Sequence, residues 1–380
     1  MTRVFFDNAA TTPVHPEVVK VMTKCLSETF GNPSSTHSYG REAKAQLEES
    51  RRSIAKILGA KPSEIFFTSC GTESNNTVLH NAIACKEINE IWTTPIEHPS
   101  IYQTTRCIGD NIPVKYLDLN ENGSVNLNAF EHMLSRVQGK VLVSVMHANN
   151  EVGVLNDLKA ISVICKKYGA LLHSDMVQTM GHLPINFQEI EVDFASASAH
   201  KFHGPKGVGF MYIRQPNAIQ AFITGGSQER GNRSGTENLG SIVGMAKALE
   251  LATKNLSEDI QYLDGLRAQF MKKLKTSFPS MGFLTEMENS LCTIVSTIFP
   301  PEFDSEMLLF QLDMKGVACS GGSACSSGAA KASHVLAHFS VPPNCKVVRF
   351  SFSKFNTEAE LDFCIDKIKE VASEKAVGSQ

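Results

Sequence analysis

Five groups of polar residues stand where apolar runs end, and their residue types together suit one chemistry. Ile65-Phe-Phe-Thr68 is followed by Ser69-Cys-Gly71-Thr72-Glu-Ser74, a small-residue turn that opens a helical pattern. Ile91–Thr94 leads to Glu97-His98-Pro99, and Val141–Val145 leads to His147-Ala-Asn-Asn150-Glu151. Ala170–His173 leads to Ser174-Asp175-Met-Val-Gln178, and Asp193–Ala197 leads to Ser198-Ala-His200-Lys201-Phe-His203. Taken singly, each has a plain reading as an N-cap, a satisfied histidine or a solvated lysine. In open α/β sheets, however, ligands bind outside the carboxyl ends of the strands, so five such ends in succession define one site.

The chemistry follows from the side chains. Asp175, at the end of a central strand, can hold a protonated heterocyclic nitrogen, and the flat ring of His98 can stack on an aromatic ligand. Lys201 can form a Schiff base, and Gly71, Thr72, Ser198 and His200 can bind a phosphate at a helix N-terminus. A phosphorylated pyridine aldehyde requires all four features, so the residues point to pyridoxal 5'-phosphate. Gly204-Pro-Lys-Gly207-Val-Gly209 precedes a strand and reads as a tight turn, not a dinucleotide loop. The long polar loop Gly225–Thr236 carries Arg230, Arg233 and Thr236, which could reach a phosphate within the chain or across a subunit interface.

Ten cysteines are spread through the chain without a Cys-x-x-Cys pair. That distribution fits reduced thiols better than a disulfide framework, and no Cys/His spacing matches a zinc site, so no metal is expected. Two cysteines differ from the rest. Cys319 and Cys325 lie in Ala318-Cys-Ser-Gly-Gly-Ser-Ala-Cys-Ser-Ser-Gly328, among small flexible residues that suit an accessible loop. Either could be a nucleophile. Cys325 is favoured because glycines flank it on both sides, whereas Cys319 follows the apolar Gly316-Val-Ala.

Apolar runs alternate with amphipathic stretches from about residue 40 to 255, as in βαβ units around a mostly parallel mixed sheet. Val141–His147 reads as a strand buried on both faces, and Glu42–Leu58 as an amphipathic helix. Strands at Leu291–Phe299 and Val347–Phe352 flank a helix near residues 305–314, and Thr357-x-x-Glu360 caps a final helix. The expected architecture is a large α/β cofactor domain over residues 14–255, with a smaller α+β domain from 1–13 and 256–380 carrying the cysteine loop. With 380 residues, 42% hydrophobic, and a net charge of −3, the chain can bury a sizeable core and offers no cationic face for nucleic acid. No apolar run is long enough to span a membrane, and the opening Met-Thr-Arg-Val-Phe-Phe-Asp lacks a signal or transit pattern, so a cytoplasmic location is expected.

The chain also resembles the NifS/IscS-like cysteine desulfurases, which are fold type I, class V aminotransferase-like enzymes. The resemblance rests on eleven ordered stretches. The first six are Asp7-Asn-Ala-Ala-Thr-Thr-Pro13, Phe30-Gly-Asn-Pro-Ser34, Thr68-Ser-Cys-Gly-Thr-Glu-Ser-Asn75, Glu97-His98, His147-Ala-Asn-Asn-Glu151 and His173-Ser-Asp-Met-Val-Gln178. The rest are Ser198-Ala-His-Lys201, Gly204-Pro-Lys-Gly207, Arg230-Gly-Asn-Arg-Ser-Gly-Thr236, Gly322-Ser-Ala-Cys-Ser326 and Arg349-Phe-Ser351.

The resemblance implies that Lys201 would hold pyridoxal 5'-phosphate and then act as acid and base on the substrate α-carbon. Asp175 would pair with the ring nitrogen, Gln178 and Asn150 would contact the ring oxygen or substrate, and His98 would stack on the ring. Thr72, Ser198 and His200 would hold the phosphate, with Thr236 arriving from the partner of a homodimer. Arg349 would grip the carboxylate of L-cysteine, and Cys325 would take the sulfur as a persulfide for an acceptor protein such as an iron–sulfur scaffold, or for tRNA thiolation.

Two departures from the family pattern stand out: Ser320-Gly-Gly-Ser-Ala-Cys-Ser-Ser has an extra glycine, and Cys319 fills an apolar position, where a disulfide with Cys325 is conceivable. The chain ends at Gln380, shorter than relatives whose C-terminal extension docks a scaffold. The alternatives are a selenocysteine lyase or other pyridoxal-phosphate C–S lyase, and a non-catalytic sulfur-carrier subunit, against which Lys201 and Arg349 argue.

Overall fold

The apolar strand Lys140–Ser144 lies inside a seven-stranded sheet and is covered on both faces. The structure, a computed structural model, describes residues 2–84, 88–214, 219–284, 287–303, 307–321 and 333–378. The strands run in the order Ile65–Thr68, Gly209–Ile213, Phe194–Ser198, Leu171–Asp175, Lys140–Ser144, Ile88–Thr93 and Val114–Tyr116. Only Gly209–Ile213 is antiparallel to its neighbours. This is the mostly parallel mixed sheet expected.

Side-chain alternation explains the two covering layers. Ile65, Phe67, Val141 and Val143 face a core shared with helices Pro16–Glu28, Ser38–Ile57, Leu158–Tyr168 and Leu239–Lys254. Phe66 and Leu142 face the opposite core, built with helices Gly71–Ala84 and Pro99–Ile108.

A second large core joins Val4 and Phe6 to Phe270, Leu274, Phe299, Phe350 and Ile368. Its antiparallel sheet has the order Lys346–Ser351, Ile294–Phe299, Gly282–Phe283, and Val4–Phe5 pairs in parallel with Val317–Ala318. The expected capping box is present: Thr357 N–H donates to Glu360 Oε2 at 2.8 Å, and Glu360 N–H donates to Thr357 Oγ1 at 3.3 Å. The helix near residues 305–314 is described from Leu308 to Met314.

Between the two cores runs the segment from Asp7 to Ala10. Asp7 bridges Ser351 of the small sheet, and Ala9 packs with Ala148, Leu291 and Ile294. This thread carries backbone carbonyls into the space beyond the strand ends.

The polar loop after the large sheet is latched by a buried ion pair. Arg51 donates two 2.8 Å hydrogen bonds to the Glu229 carboxylate, which also accepts Phe67 N–H at 2.9 Å. The Arg51 and Glu229 side chains are 3% and 1% exposed. Glu229 and Arg230 hold left-handed backbone angles (φ 46° and 58°), a conformation that this anchoring sustains. Glu229→Ala would remove the bidentate partner of the buried guanidinium, leaving it Glu48 and the Ile65 carbonyl, and a loss of about 3 kcal/mol in urea-unfolding free energy is expected.

Candidate active site

A cavity of about 720 Å³ opens where the carboxyl ends of the large-sheet strands meet the small domain. Gly71, Thr72, His98, Asn150, Asp175, Gln178, Ser198, His200, Lys201 and Arg349 all line it. Thr236 is exposed and does not line this chain's cavity, and Cys325 lies outside the described residues.

Each lining group is placed by an element end. Asp175 closes the strand Leu171–Asp175; its Oδ1 accepts Val177 N–H at 2.9 Å and its Oδ2 accepts Asn75 Nδ2–H at 2.7 Å. Lys201 ends a single 3₁₀ turn, Ala199–Lys201, directly after the strand Phe194–Ser198. Its ammonium donates to the carbonyls of Ala9 and Ala10, the latter at 2.9 Å, and Gln178 Nε2–H donates to Ala9 O at 3.0 Å. The N-terminal thread therefore orients both groups.

His98 caps the helix Pro99–Ile108, its Nδ1 accepting Ser100 N–H at 3.1 Å. Gly71 begins the helix Gly71–Ala84, and a Cβ there would lie 2.5 Å from Val177 Cγ2. Only glycine lets this helix N-terminus approach so closely the loop that follows Asp175.

Arg349, on the strand Lys346–Ser351, is 1% exposed. One terminal nitrogen pairs with Asp7 Oδ1 at 2.7 Å and the other donates to Asn150 O at 2.5 Å, while Nε–H has no acceptor among the described residues. The loop arginines are engaged elsewhere: Arg233 pairs with Glu73 at 2.9 Å, and Arg230 donates to the carbonyls of Pro62 and Ser63.

Burial dominates the electrostatics. It pushes the His200 imidazole down to about 4, helped by the nearby Lys201 and Lys206 charges. It lowers His98 as well, against the attraction of Asp175. The carboxyl of Glu97, fully enclosed, is pushed up to about 8 by burial, with Met146 N–H and Thr94 O–H as its donors. Burial also raises the Cys319 thiol, the opposite of what a nucleophile requires.

These buried groups set a pH dependence of stability. His147, His173, His200 and His203 are each held down to about 4 by burial, so below about 6.5 the unfolded chain binds protons that the folded chain refuses. Their contribution is intact above about 6.5 and lost as pH falls toward 4. Glu97 acts in the opposite sense, its folded form holding a proton from about 4.5 to about 8. Four histidines outweigh one carboxyl, so the Tm of the cofactor-free protein should fall steeply from pH about 6.5 to about 4.5, and only gently from about 6.5 to 8.

The donor set fits pyridoxal 5'-phosphate. An amine, a buried carboxylate and a flat imidazole surround one cavity, and Ser198 Oγ and Asn150 Oδ1 are buried there without partners among the described residues. An orphaned hydroxyl beside the helix N-terminus at Gly71 suits a phosphate oxygen. No group of three or more metal-ligating side chains occurs among the described residues.

Several cavity residues had no role assigned from the sequence, among them Asn75, Ser100 and His334. Asn75 and Ser100 connect Asp175 to His98, and His334 stacks on Tyr102 with ring centroids 4.1 Å apart while its Nε2–H donates to Glu97 O at 2.8 Å. Asn75 and Ser100 sit inside or beside recognised motifs, but their partners are 100 and 25 residues apart in sequence.

The profile of the aminotransferase class-V family matches residues 4–363 of the chain. A cysteine desulfurase IscS from Dictyoglomus turgidum is 39% identical over 374 residues, covering 97% of this chain and 94% of that protein. A solved NifS-like protein superposes with a TM-score of 0.90 at 40% identity, covering 98% of this chain and all of that one. A second structure, SspA in complex with cysteine, gives 0.79 at 28% identity, over 94% of this chain and 100% of that one. Among the described residues no helix is long and apolar enough to cross a membrane.

Proposed function

We propose a function from the premise that this chain belongs to the aminotransferase class-V family and, within it, to the NifS/IscS-like cysteine desulfurases. The enzyme removes sulfur from L-cysteine, leaving L-alanine and an enzyme-bound persulfide that is passed on. The convergence of Lys201, Asp175, His98 and Arg349 on one cavity carries the reading to these residues.

When bound, pyridoxal 5'-phosphate supplies an aldehyde that condenses with amines and a ring that accepts electron density from the substrate α-carbon. Lys201 would tether it and afterwards carry the α-proton, since its amine stands at the strand end between Ser198 and the Ala9–Ala10 carbonyls. Asp175 would face the ring nitrogen, its two oxygens held in place by the N–H donors of Val177 and Asn75. His98 would lie against the ring, and Gln178 and Asn150 would contact its oxygen or the substrate. Gly71, Thr72, Ser198 and His200 would hold the phosphate, completed by Thr236 of the partner in a homodimer. The exposure of Thr236 outside its own cavity supports that assignment.

Arg349 would take the substrate carboxylate. Its Nε–H is buried without an acceptor, and an unmet charged donor of this kind costs folding energy unless a ligand answers it. The Cys325 thiolate would attack the substrate sulfur. The Cβ–S bond breaks as the S–S bond forms, and the carbon skeleton leaves protonated as alanine, so cysteine plus thiol becomes alanine plus persulfide. An acceptor protein, such as an iron–sulfur scaffold, would then receive that sulfur in a cytoplasmic setting.

Purified protein supplied with pyridoxal 5'-phosphate should show a visible cofactor band and convert L-cysteine to alanine with sulfide release under reductant. Absence of alanine from cofactor-loaded protein would overturn the reading.

A further inference from the structure

Asn75 and Ser100 form a continuous hydrogen-bonded chain between Asp175 and His98. Asn75 Nδ2 lies 2.7 Å from Asp175 Oδ2 and 2.9 Å from Ser100 Oγ, and Ser100 Oγ lies 2.7 Å from His98 Nδ1. Asn75 is 1% exposed, Asp175 5% and Ser100 8%.

The direction of every proton in the chain can be deduced. Backbone Ser100 N–H also meets His98 Nδ1, at 3.1 Å, and an amide N–H can only donate. Nδ1 therefore offers its lone pair, and the neutral ring carries its proton on Nε2. An Asp175 carboxylate can only accept, so the Asn75 amide must turn its NH₂ group toward it. The two Asn75 N–H bonds are then spent on Asp175 and Ser100, which leaves the Ser100 hydroxyl hydrogen for His98 Nδ1.

Protonating His98 would place its Nδ1–H against two donors, the N–H and the O–H of Ser100. The charged and titratable groups whose fields reach the ring are Asp175, Lys201 and His334; of these only Asp175 favours the imidazolium. Burial adds to the penalty and lowers the ring's proton affinity.

We propose that Asn75 and Ser100 are positioning residues that lock His98 as a neutral Nε2–H ring, making it a hydrogen-bond donor and stacking plate over the cofactor and not a proton carrier. The same amide that locks His98 also steadies the Asp175 carboxylate, so one side chain sets both ring-contacting groups. The role of His98 toward the cofactor rests on the function proposed above, whereas its tautomer does not.

Two readouts separate these levels. In the cofactor-free protein, ¹⁵N-edited NMR of labelled histidines, with His98 assigned by its loss in His98→Gln, should show Nε2 protonated and no titration of His98 from pH about 8 to about 5.5. Asn75→Asp substitutes an acceptor for the NH₂ group and draws the Ser100 hydroxyl away from His98, so the ring should take up a proton at a higher pH than in the wild-type protein. Asn75→Ala removes a donor to a buried carboxylate and should weaken pyridoxal 5'-phosphate binding, measured by equilibrium dialysis, about tenfold or more. Ser100→Thr, which keeps the hydroxyl, should leave the tautomer and binding near wild type, which a purely structural role for Ser100 does not require.

A wild-type His98 that titrates in the normal range, or one protonated on Nδ1, overturns the proposal. So does unchanged His98 behaviour in a folded Asn75→Asp variant. Failure of the wild-type protein to bind the cofactor would refute the functional reading and leave the NMR result standing by itself.

Discussion

Lys201→Ala is expected to abolish conversion of L-cysteine to alanine, with a loss of at least about 10⁴-fold in kcat/KM. The size follows from two roles meeting in one amine, which would both tether the cofactor and move the α-proton. The fold leaves little room for a substitute. Lys201 ends a one-turn 3₁₀ segment directly after a buried strand, and its ammonium is aimed by the carbonyls of Ala9 and Ala10. The other basic group at this strand end, His200, is held neutral by burial and bonded through Nδ1 to Thr11 Oγ1 at 3.1 Å. Lys201→Arg should fail nearly as badly, since a guanidinium keeps the charge but cannot form a Schiff base near neutral pH. Alanine production by the cofactor-supplemented variants checks both. Wild-type rates in Lys201→Ala would remove the lysine from the chemistry.

Cys325→Ala is expected to lower sulfur release from L-cysteine by at least about 100-fold while leaving cofactor binding and its visible band intact. The comparison with Cys319→Ala makes the test sharp. Cys319 packs against the small-domain core, and burial raises its thiol, so it is an inert hydrophobic side chain. Its loss should leave turnover near wild type and cost only about 1 kcal/mol of stability, measured by urea unfolding. Unchanged cysteine cleavage in Cys325→Ala would favour a selenocysteine lyase or another C–S lyase, which does without a thiol nucleophile.

Much of this site is legible in the chain because strand ends declare themselves. An apolar run buried on both faces, followed by a polar or glycine-rich turn, is readable from Lys140–Ser144 and from Leu171–Asp175, and the sheet brings these ends to one cavity. The Thr357–Glu360 capping box is equally local and equally readable.

What escaped the sequence is long-range or unpatterned. The helix Pro16–Glu28 opens on a histidine N-cap followed by proline instead of a Ser, Thr, Asp or Asn start signal, and it buries only Val18 and Cys25. The Arg51–Glu229 latch joins residues 178 apart, so neither charge announces its burial. Asn75 belongs to a recognised motif, yet its work depends on Asp175 a hundred residues away. Glu97 stands beside His98 in sequence, but only the fold shows that it is sealed from water with one carboxyl oxygen unpartnered among the described residues.

The central claim is that sulfur leaves cysteine onto Cys325 as alanine forms. The direct measurement treats the cofactor-loaded protein with stoichiometric L-cysteine in the absence of reductant, quantifies alanine, and locates added sulfur by mass spectrometry of alkylated peptides. The account predicts one sulfur atom added at Cys325 for each alanine formed, with Cys319 unmodified. Alanine formed without a sulfur adduct, or with the adduct on another cysteine, would contradict it.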